Sequence, residues 1–175
     1  LSQQVRITIT PLKNWNIIGE LNIKTDNNWT HYEHKRVYSH MANDPEKTYV
    51  ATMTGPSEDK VYEYAYKSLF LNPNVYTNYD ITLGQHTIAA TAGMQIERQK
   101  YRDVSAQRAD MVSTDLPVLN LTTSSQSYGI SGVVQEWASA GFFGRINYDY
   151  AGRYLVEGNL RYDGSSRFRR GNRWI

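Results

Sequence analysis

Strict alternation of apolar and polar residues, interrupted by short turns, is the feature that most limits the fold of this chain. In FFGRINYDY, residues 142–150, aliphatic and aromatic residues mostly alternate with charged or amide residues. Successive side chains of a β-strand point to opposite faces, so this pattern predicts a strand with one polar and one apolar face. After a short break, YLVEGNLRYD repeats the pattern over residues 154–163. Together the two segments predict an antiparallel hairpin.

The connections between alternating segments form a second pattern. Short turns are predicted at 11–14, 84–86 and 150–153, whereas long polar loops are predicted at about 26–60 and 103–138, the first with strand extensions at its ends as an alternative. Long loops without secondary structure are uncommon in compact domains. Outer-membrane barrels do have short turns on one side and longer loops on the other. The sequence therefore predicts an all-β fold, namely an antiparallel transmembrane β-barrel segment of about six strands with short periplasmic turns and long extracellular loops.

Composition supports a β-rich chain and excludes several classes of protein. There are 14 Tyr and 4 Trp residues, which favour strands. No stretch approaches the roughly 20 apolar residues that a transmembrane helix requires. The absence of cysteine excludes disulfides and thiolate metal sites, and a formal net charge of +2 argues against a nucleic-acid partner. Six strands are too few to close a membrane barrel, so we expect part of a larger one.

One stretch resembles a known family. The motif FFGRINYDYAGRYLVEGNLRYDGSSRF, followed by GNRW, resembles the barrel of SusC/RagA-type TonB-linked (TonB-dependent) outer-membrane transporters of Bacteroidetes. Residues 6–20 and 79–93 are similar to earlier hairpins of the same barrels. The two long polar stretches show only weak resemblance, as expected for loops that vary with substrate.

The resemblance implies a domain organisation and a function. Family members carry a plug and a barrel of about 22 strands, so residues 1–175 are expected to be an internal part of the barrel, with the plug and the remaining strands absent from this chain. The whole protein is expected in the bacterial outer membrane, importing oligosaccharides or peptides with a SusD-like surface lipoprotein and energised through TonB. No enzymatic activity and no cofactor are expected.

On the barrel interpretation, alternation assigns the residues of the last hairpin to lumen or lipid. An arginine facing lipid costs about 2–4 kcal/mol at mid-membrane, so the polar positions are expected to face the lumen. We interpret them mainly as a structural polar ladder. The lumen-facing candidates are Arg145, Asn147, Asp149, Glu157, Asn159, Arg161 and Asp163; the lipid-facing ones are Ile146, Tyr148, Tyr150, Tyr154, Val156, Leu160 and Tyr162.

Aromatic residues in the predicted loops are candidates for contact with substrate or with the surface lipoprotein, because aromatic faces stack on sugar rings and pack on proteins. These residues are Tyr32, Tyr38, Tyr49, Tyr128 and Trp137. An alternative interpretation of the chain as a whole is a soluble β-sandwich that binds carbohydrate. That alternative explains the aromatic content, but not the regular order of short and long connections.

Two other motifs invite a catalytic or metal-binding interpretation. Residues 163–167, DGSSR, lack a partnering histidine nearby and the strand-to-helix setting of a nucleophilic serine, so they predict a turn. His31, Glu33, His34 and His40 do not have the spacing of a known zinc motif. Strand alternation would also place His31 and His34 on opposite faces. We therefore predict no metal site.

Overall fold

A computed structural model describes residues 1–50, 58–124 and 128–175 and consists almost entirely of β-structure. Six long strands form one antiparallel sheet in the order β1-β2-β5-β6-β7-β8, and β3 and β4 form a separate hairpin. None of the helices among the described residues has the length and apolarity needed to cross a membrane. The strands are β1 (Ser2–Leu12), β2 (Trp15–His34), β3 (Tyr38–Met41), β4 (Asp44–Val50), β5 (Lys60–Leu83), β6 (His86–Ala109), β7 (Tyr128–Tyr150) and β8 (Tyr154–Ser165), followed by a 3₁₀ turn, Arg170–Asn172.

The three short turns lie where the sequence predicts them. Asn14, Gly84 and Gly152 have φ angles of 64°, 63° and 69°. This left-handed region is accessible to glycine and, more than to most residues, to asparagine. Tight turns of this kind connect neighbouring antiparallel strands, so consecutive strands pair directly in β1–β2, β5–β6 and β7–β8.

The predicted long loops are wrong in extent, because much of each one is strand. β2 continues to His34 rather than ending near Asp26, and β3 and β4 form a hairpin within the first predicted loop. In the second predicted loop, β6 continues to Ala109 and β7 already begins at Tyr128. Both faces of these extensions carry polar residues, so they lack the apolar periodicity from which a strand is predicted.

The chain divides into two compact units. Unit 1 comprises residues 1–26, 68–101 and 135–175, and unit 2 comprises residues 27–67 and 102–134. Unit 1 contains the short turns and the alternating segments of all six long strands. Unit 2 contains the β3–β4 hairpin and the polar extensions of the strands.

Few side chains are buried, which is unusual for a chain of this length. Among the residues that the structure describes, Ile18, Val61, Asn72 and Ala109 are the buried side chains. An independent domain of similar size would bury a sizeable hydrophobic core. A β-sandwich in particular packs the apolar face of one sheet against another. The described part of the chain contains one large sheet and one small hairpin, so the sandwich alternative is wrong for the fold.

Candidate functional site

The register of β7 and β8 places all seven predicted lumen residues on one face of the sheet. Arg145 pairs with Asn159 and Asn147 pairs with Glu157, without a shift in register along the hairpin. Directly opposed residues of antiparallel strands share a face. We call the face that carries Arg145 and Asn159 the polar face of unit 1, and the opposite face, which carries Ile146 and Leu160, the apolar face.

Most of these seven residues are connected by hydrogen bonds. Arg145 Nε donates to Asn159 Oδ1 at 2.7 Å, and Asn159 Nδ2 donates to Glu157 Oε1 at 2.6 Å. Arg161 Nε donates to both carboxylate oxygens of Asp163, at 2.9 and 2.7 Å. Asp149 instead accepts from the backbone N–H of Gly152 at 2.8 Å and thereby caps the short turn.

Other strands extend the polar face with amide groups. Asn72 Oδ1 accepts from Asn22 Nδ2 at 3.2 Å and from Asn74 Nδ2 at 2.9 Å, while Asn72 Nδ2 donates to the carbonyl of Ile96 at 3.0 Å. Asn72 is 8% exposed, so these bonds satisfy a buried amide. The result is a hydrogen-bonded connection across β2, β5 and β6.

Charged groups on the first strands are paired in the same way. Arg6 Nε donates to Glu20 Oε1 at 2.5 Å, and the hydroxyl of Tyr76 donates to the same oxygen at 3.1 Å. Gly93 leaves room for the ring-bearing side chains here, since a Cβ at this position would lie 2.5 Å from Cβ of Tyr76 and 2.8 Å from Cζ of Phe143. The polar face is therefore ordered by contacts among its own side chains.

The apolar face has the opposite character. Its large side chains are exposed, for example Ile7 at 61% and Leu160 at 78%. Two aromatic clusters lie on it. The turn-end cluster consists of His86, Tyr148, Tyr150 and Tyr154, and the Trp174 cluster consists of Phe142, Tyr162 and Trp174.

Tyr154 and Tyr162 lie eight positions apart on β8, which corresponds to about 26 Å along the strand. Ile146, Val156 and Leu160 lie between the two clusters on this hairpin. An apolar band about 25 Å tall, flanked by two aromatic girdles, is the outer surface of a transmembrane barrel. Because the strands of such barrels tilt by about 35–45°, about 26 Å along β8 corresponds to a height of about 18–21 Å, which is comparable with that band.

The predicted loop aromatics lie on strands rather than in loops. Tyr32 is on β2, Tyr38 on β3, Tyr49 on β4 and Trp137 on β7. Trp137 Nε1 donates to Gln99 Oε1 at 3.0 Å, and the Arg167 guanidinium lies 5.0 Å from the ring centroid. Tyr128 begins β7, but its side chain lies outside the described residues.

Unit 2 carries an aromatic surface of which the sequence interpretation identified only Tyr32. The ring of Tyr32 stacks on that of Tyr62, with centroids 4.5 Å apart, and lies 5.4 Å from the ring of His34. Tyr64 and Tyr66 continue along β5, with ring centroids 6.0 Å apart. The signal was the sequence YEYAY, in which every second residue is tyrosine. We call these five residues the tyrosine face.

Glu63 joins two of the other residues in this region. Its carboxylate accepts from Trp29 Nε1 at 2.5 Å and contacts His31 Nδ1 at 2.6 Å. Partial burial alone would raise the pKa of Glu63, but the hydrogen bonds from Trp29 and His31 outweigh it and hold the pKa below its ordinary value. His31 thus contacts a carboxylate from another strand, and no metal-binding group of three or more acidic or histidine residues occurs among the described residues.

Arg36 connects separate segments of unit 2. Its backbone N–H donates to Asp59 Oδ1 at 2.5 Å, and its guanidinium donates to Asp110 Oδ1 at 3.3 Å. Hydrogen bonding to Tyr38 raises the pKa of Arg36. These bonds fix the ends of the connections that follow β2 and β6.

The turn predicted over the DGSSR motif is shorter than expected, because β8 continues to Ser165 and only Ser166 and Arg167 form a turn. Ser166 Oγ accepts from the N–H of Ala138 at 2.8 Å, and the Ser166 N–H donates to the Ala138 carbonyl at 2.8 Å. Ser165 pairs with Arg173, and Trp174 covers Gly164, where a Cβ would lie 2.6 Å from the indole. Both serines therefore have structural partners, Ser165 at the end of β8 and Ser166 in the turn.

Comparison with known proteins agrees with this arrangement, although no family model matches the chain. TonB-dependent receptor P3 of Formosa agariphila is 25% identical over 127 residues, which are 73% of this chain and 13% of the relative. TonB-dependent receptor P39 of the same organism is 33% identical over 112 residues, or 60% of this chain and 10% of the relative. TonB-dependent receptor SusC of Bacteroides thetaiotaomicron is 54% identical over 33 residues, covering 19% of this chain and 3% of SusC.

Solved structures show the same fold over nearly the whole chain. The RagAB peptide transporter matches with a TM-score of 0.80 at 23% identity, over 99% of this chain and 19% of that one. The RagAB peptide importer in its closed-closed state matches with a TM-score of 0.79 at 22% identity, over 99% of this chain and 18% of that one. These relatives are receptors and transporters. The predicted resemblance is confirmed: the chain is similar in sequence to TonB-dependent receptors, among them SusC, and in fold to the RagAB peptide transporter.

Proposed function

We propose that this chain forms part of the wall of a TonB-dependent transporter in the bacterial outer membrane. The observation that carries the proposal is the two-sided sheet of unit 1. Its apolar face has exposed aliphatic residues between two aromatic clusters, and its polar face is hydrogen-bonded. In the proposal the apolar face contacts lipid and the polar face lines the lumen.

The seven lumen candidates act in this proposal as a structural wall. Arg145 and Arg161 are each held by acceptors on the same face, so their charges are largely compensated within the sheet. Such a wall allows hydrated substrate to pass without binding it tightly. Transport then needs no covalent chemistry and no cofactor.

The transported substrate is an oligosaccharide or a peptide, and a SusD-like surface lipoprotein is the partner. Similarity to SusC and to the RagAB peptide transporter supports both parts of this proposal. TonB would act on a part of the transporter other than this sheet.

The tyrosine face of unit 2 is the proposed substrate contact. Five rings lie there on adjacent strands, and Tyr32 remains 44% exposed. Tyrosine rings stack on sugar rings and on aromatic side chains, while their hydroxyls form hydrogen bonds. Tyr38, Tyr49, Tyr128 and Trp137 remain candidates for contact with substrate or lipoprotein.

Spin labelling of the full-length transporter in bilayers tests the orientation of the sheet. This chain has no cysteine, so single cysteines can be introduced into it as Ile146→Cys and Leu160→Cys on the apolar face, and as Asn147→Cys and Asn159→Cys on the polar face. We expect nitroxides at the first pair to collide frequently with lipid-dissolved oxygen. Nitroxides at the second pair should collide less with oxygen and more with a water-soluble nickel complex.

Adjacent positions serve as matched controls, because Ile146 and Asn147 share the same depth and differ only in the face. Equal oxygen accessibility at all four positions, or a reversed order, would overturn the proposal. Uptake of labelled oligosaccharides and peptides by the same variants tests whether the labelled protein still transports.

A further inference from the structure

The segment that follows β8 is strongly basic and has a fixed backbone. Residues 166–173, SRFRRGNR, contain four arginines and no acidic residue. The N–H of Asn172 donates to the carbonyl of Arg169 at 2.9 Å, and the N–H of Ser165 donates to the carbonyl of Arg173 at 2.9 Å. We call residues 166–173 the arginine loop.

The arginine loop is attached to the apolar face, at the end of the aliphatic band where the Trp174 cluster lies. Trp174, the next residue, stacks on Tyr162 and Phe142 with ring centroids 5.3 and 6.0 Å apart. The backbone N–H of Asp163 donates to the carbonyl of Ile175, and the N–H of Ile175 donates to the carbonyl of Asp163, both at 2.9 Å. The loop therefore lies beside the Trp174 cluster, which is about 26 Å from the turn-end cluster.

The arginines of this loop differ from those on the polar face in that they are not paired with carboxylates of the described residues. Arg6, Arg145 and Arg161 each lie beside a carboxylate of the sheet. In the described parts of the chain, by contrast, no carboxylate lies within ion-pair distance of the four loop arginines. Arg167 lies over the ring of Trp137, and Arg173 donates to the carbonyl of Phe168, whereas Arg169 and Arg170 are exposed.

More basic side chains lie on β6. Arg98 and Lys100 alternate with Glu97 and Gln99, so they lie on the other side of the strand from those two residues. Both contact Glu136 on β7 and remain more than half exposed. Positive charge in this part of unit 1 is therefore not confined to the loop.

We propose that the arginine loop binds the phosphate groups of an anionic lipid in the membrane leaflet next to the Trp174 cluster, with Arg169 and Arg170 as the principal contacts. Guanidinium groups bind phosphate through paired hydrogen bonds, and tryptophan is enriched at the membrane interface. Basic residues close to a membrane surface are attracted by anionic headgroups. This inference rests on the proposed membrane orientation of unit 1.

The test uses the full-length transporter in detergent and two forms of one lipid. Bisphosphorylated lipid A and its fully dephosphorylated form differ only in the phosphates, and native mass spectrometry measures the fraction of protein that retains each. We expect the unmodified protein to retain the bisphosphorylated form at least tenfold more strongly. The double variant R169Q/R170Q should lose most of that preference.

The double variant K13Q/R153Q is the matched control, because it removes two exposed basic residues from short turns that are distant along the strands from the loop. It should retain the full preference. Inorganic phosphate at the same concentration should not displace the lipid, since the proposed ligand is a headgroup held in a membrane.

Equal retention of the two lipid forms by the unmodified protein would overturn the inference, and that measurement does not depend on the folding of any variant. Three other results would also overturn the inference: an unchanged lipid preference in R169Q/R170Q, an equal loss of that preference in K13Q/R153Q, or displacement of the lipid by inorganic phosphate. Spin-label accessibility at Ile146 and Asn147 reports separately on the orientation of the sheet. A correct orientation without a phosphate preference would reject only this inference.

Discussion

The two faces of the sheet in unit 1 use the same backbone and differ in almost every other respect. On the polar face, Asn72, Arg145 and Arg161 find partners among neighbouring side chains. On the apolar face, aliphatic side chains such as Ile146 remain exposed, and only the ends of the band carry aromatic clusters. The polar face is therefore completed largely within this chain, whereas the apolar face is left uncovered by the described residues.

Arginine substitution at adjacent residues is the most severe test of this difference. In the full-length transporter, Ile146→Arg should lower the free energy of unfolding in bilayers by about 2–4 kcal/mol, because it places a charge against lipid. Asn147→Arg should change it by less than about 1 kcal/mol, since its neighbour across the strands is Glu157. Denaturant titration in lipid vesicles measures both. Similar losses for the two variants would contradict the assignment of the faces.

Alanine substitution of glycines compares the two faces sterically. Gly93→Ala should destabilise the transporter by about 1–3 kcal/mol, since the new methyl group meets Tyr76 and Phe143. Gly158→Ala, on the apolar face, has no atom within 4 Å of the new methyl group and should be nearly neutral. Thermal unfolding of both variants in the same detergent measures the change in melting temperature. An equal change for both would contradict the close contact of Gly93 with Tyr76 and Phe143.

Removal of one buried amide tests the hydrogen-bonded character of the polar face. Asn72→Ala leaves Asn22, Asn74 and the Ile96 carbonyl without their shared partner, which should cost about 1–3 kcal/mol. Asn147→Ala is the control, because its side chain makes no hydrogen bond to the described residues. Hydrogen exchange of β5 should accelerate in the first variant and not in the second. Unchanged exchange after Asn72→Ala would show that the face does not depend on this amide.

The smallest effect is expected in unit 2, where the Glu63 carboxylate accepts a hydrogen bond from Trp29 and contacts His31. The pKa of Glu63 is lower in the folded state than in the unfolded state. Ionised Glu63 therefore stabilises the folded state fully above the unfolded pKa, and this stabilisation is lost as pH falls through the folded pKa. The side chain is partly exposed, so the contribution should be about 0.5 kcal/mol. The protection factors of amides near Trp29, which are corrected for the slower intrinsic exchange at low pH, should therefore fall between pH 6 and pH 3 in the unmodified protein. A fall of the same size in Glu63→Gln would exclude Glu63 as its cause.

Alternation predicted unit 1 well because the two faces of its sheet differ in polarity. Where one face is apolar and the other polar, every second residue indicates the face, as in residues 142–150. In unit 2 that selection is absent, so residues 27–34 and 102–109 did not show a strand pattern although they extend β2 and β6. Apart from Tyr32, the tyrosine face was missed for a related reason. Tyr62, Tyr64 and Tyr66 alternate with Glu63 and Ala65, but the contact of Tyr62 with Tyr32 joins strands that are distant in sequence.

Local sequence patterns were enough to predict the three strand pairs joined by short turns, the two faces of the last hairpin and the family resemblance. All of these depend on local information: residue alternation, turn residues and one specific motif. The extent of the strands could not be predicted in this way, nor could the polar groups that satisfy one another, such as Asn72 with Asn22 and Ile96. Only the tertiary structure decided that Trp174 returns to cover Gly164. These contacts join residues far apart in the chain, so they cannot be predicted from a local sequence pattern.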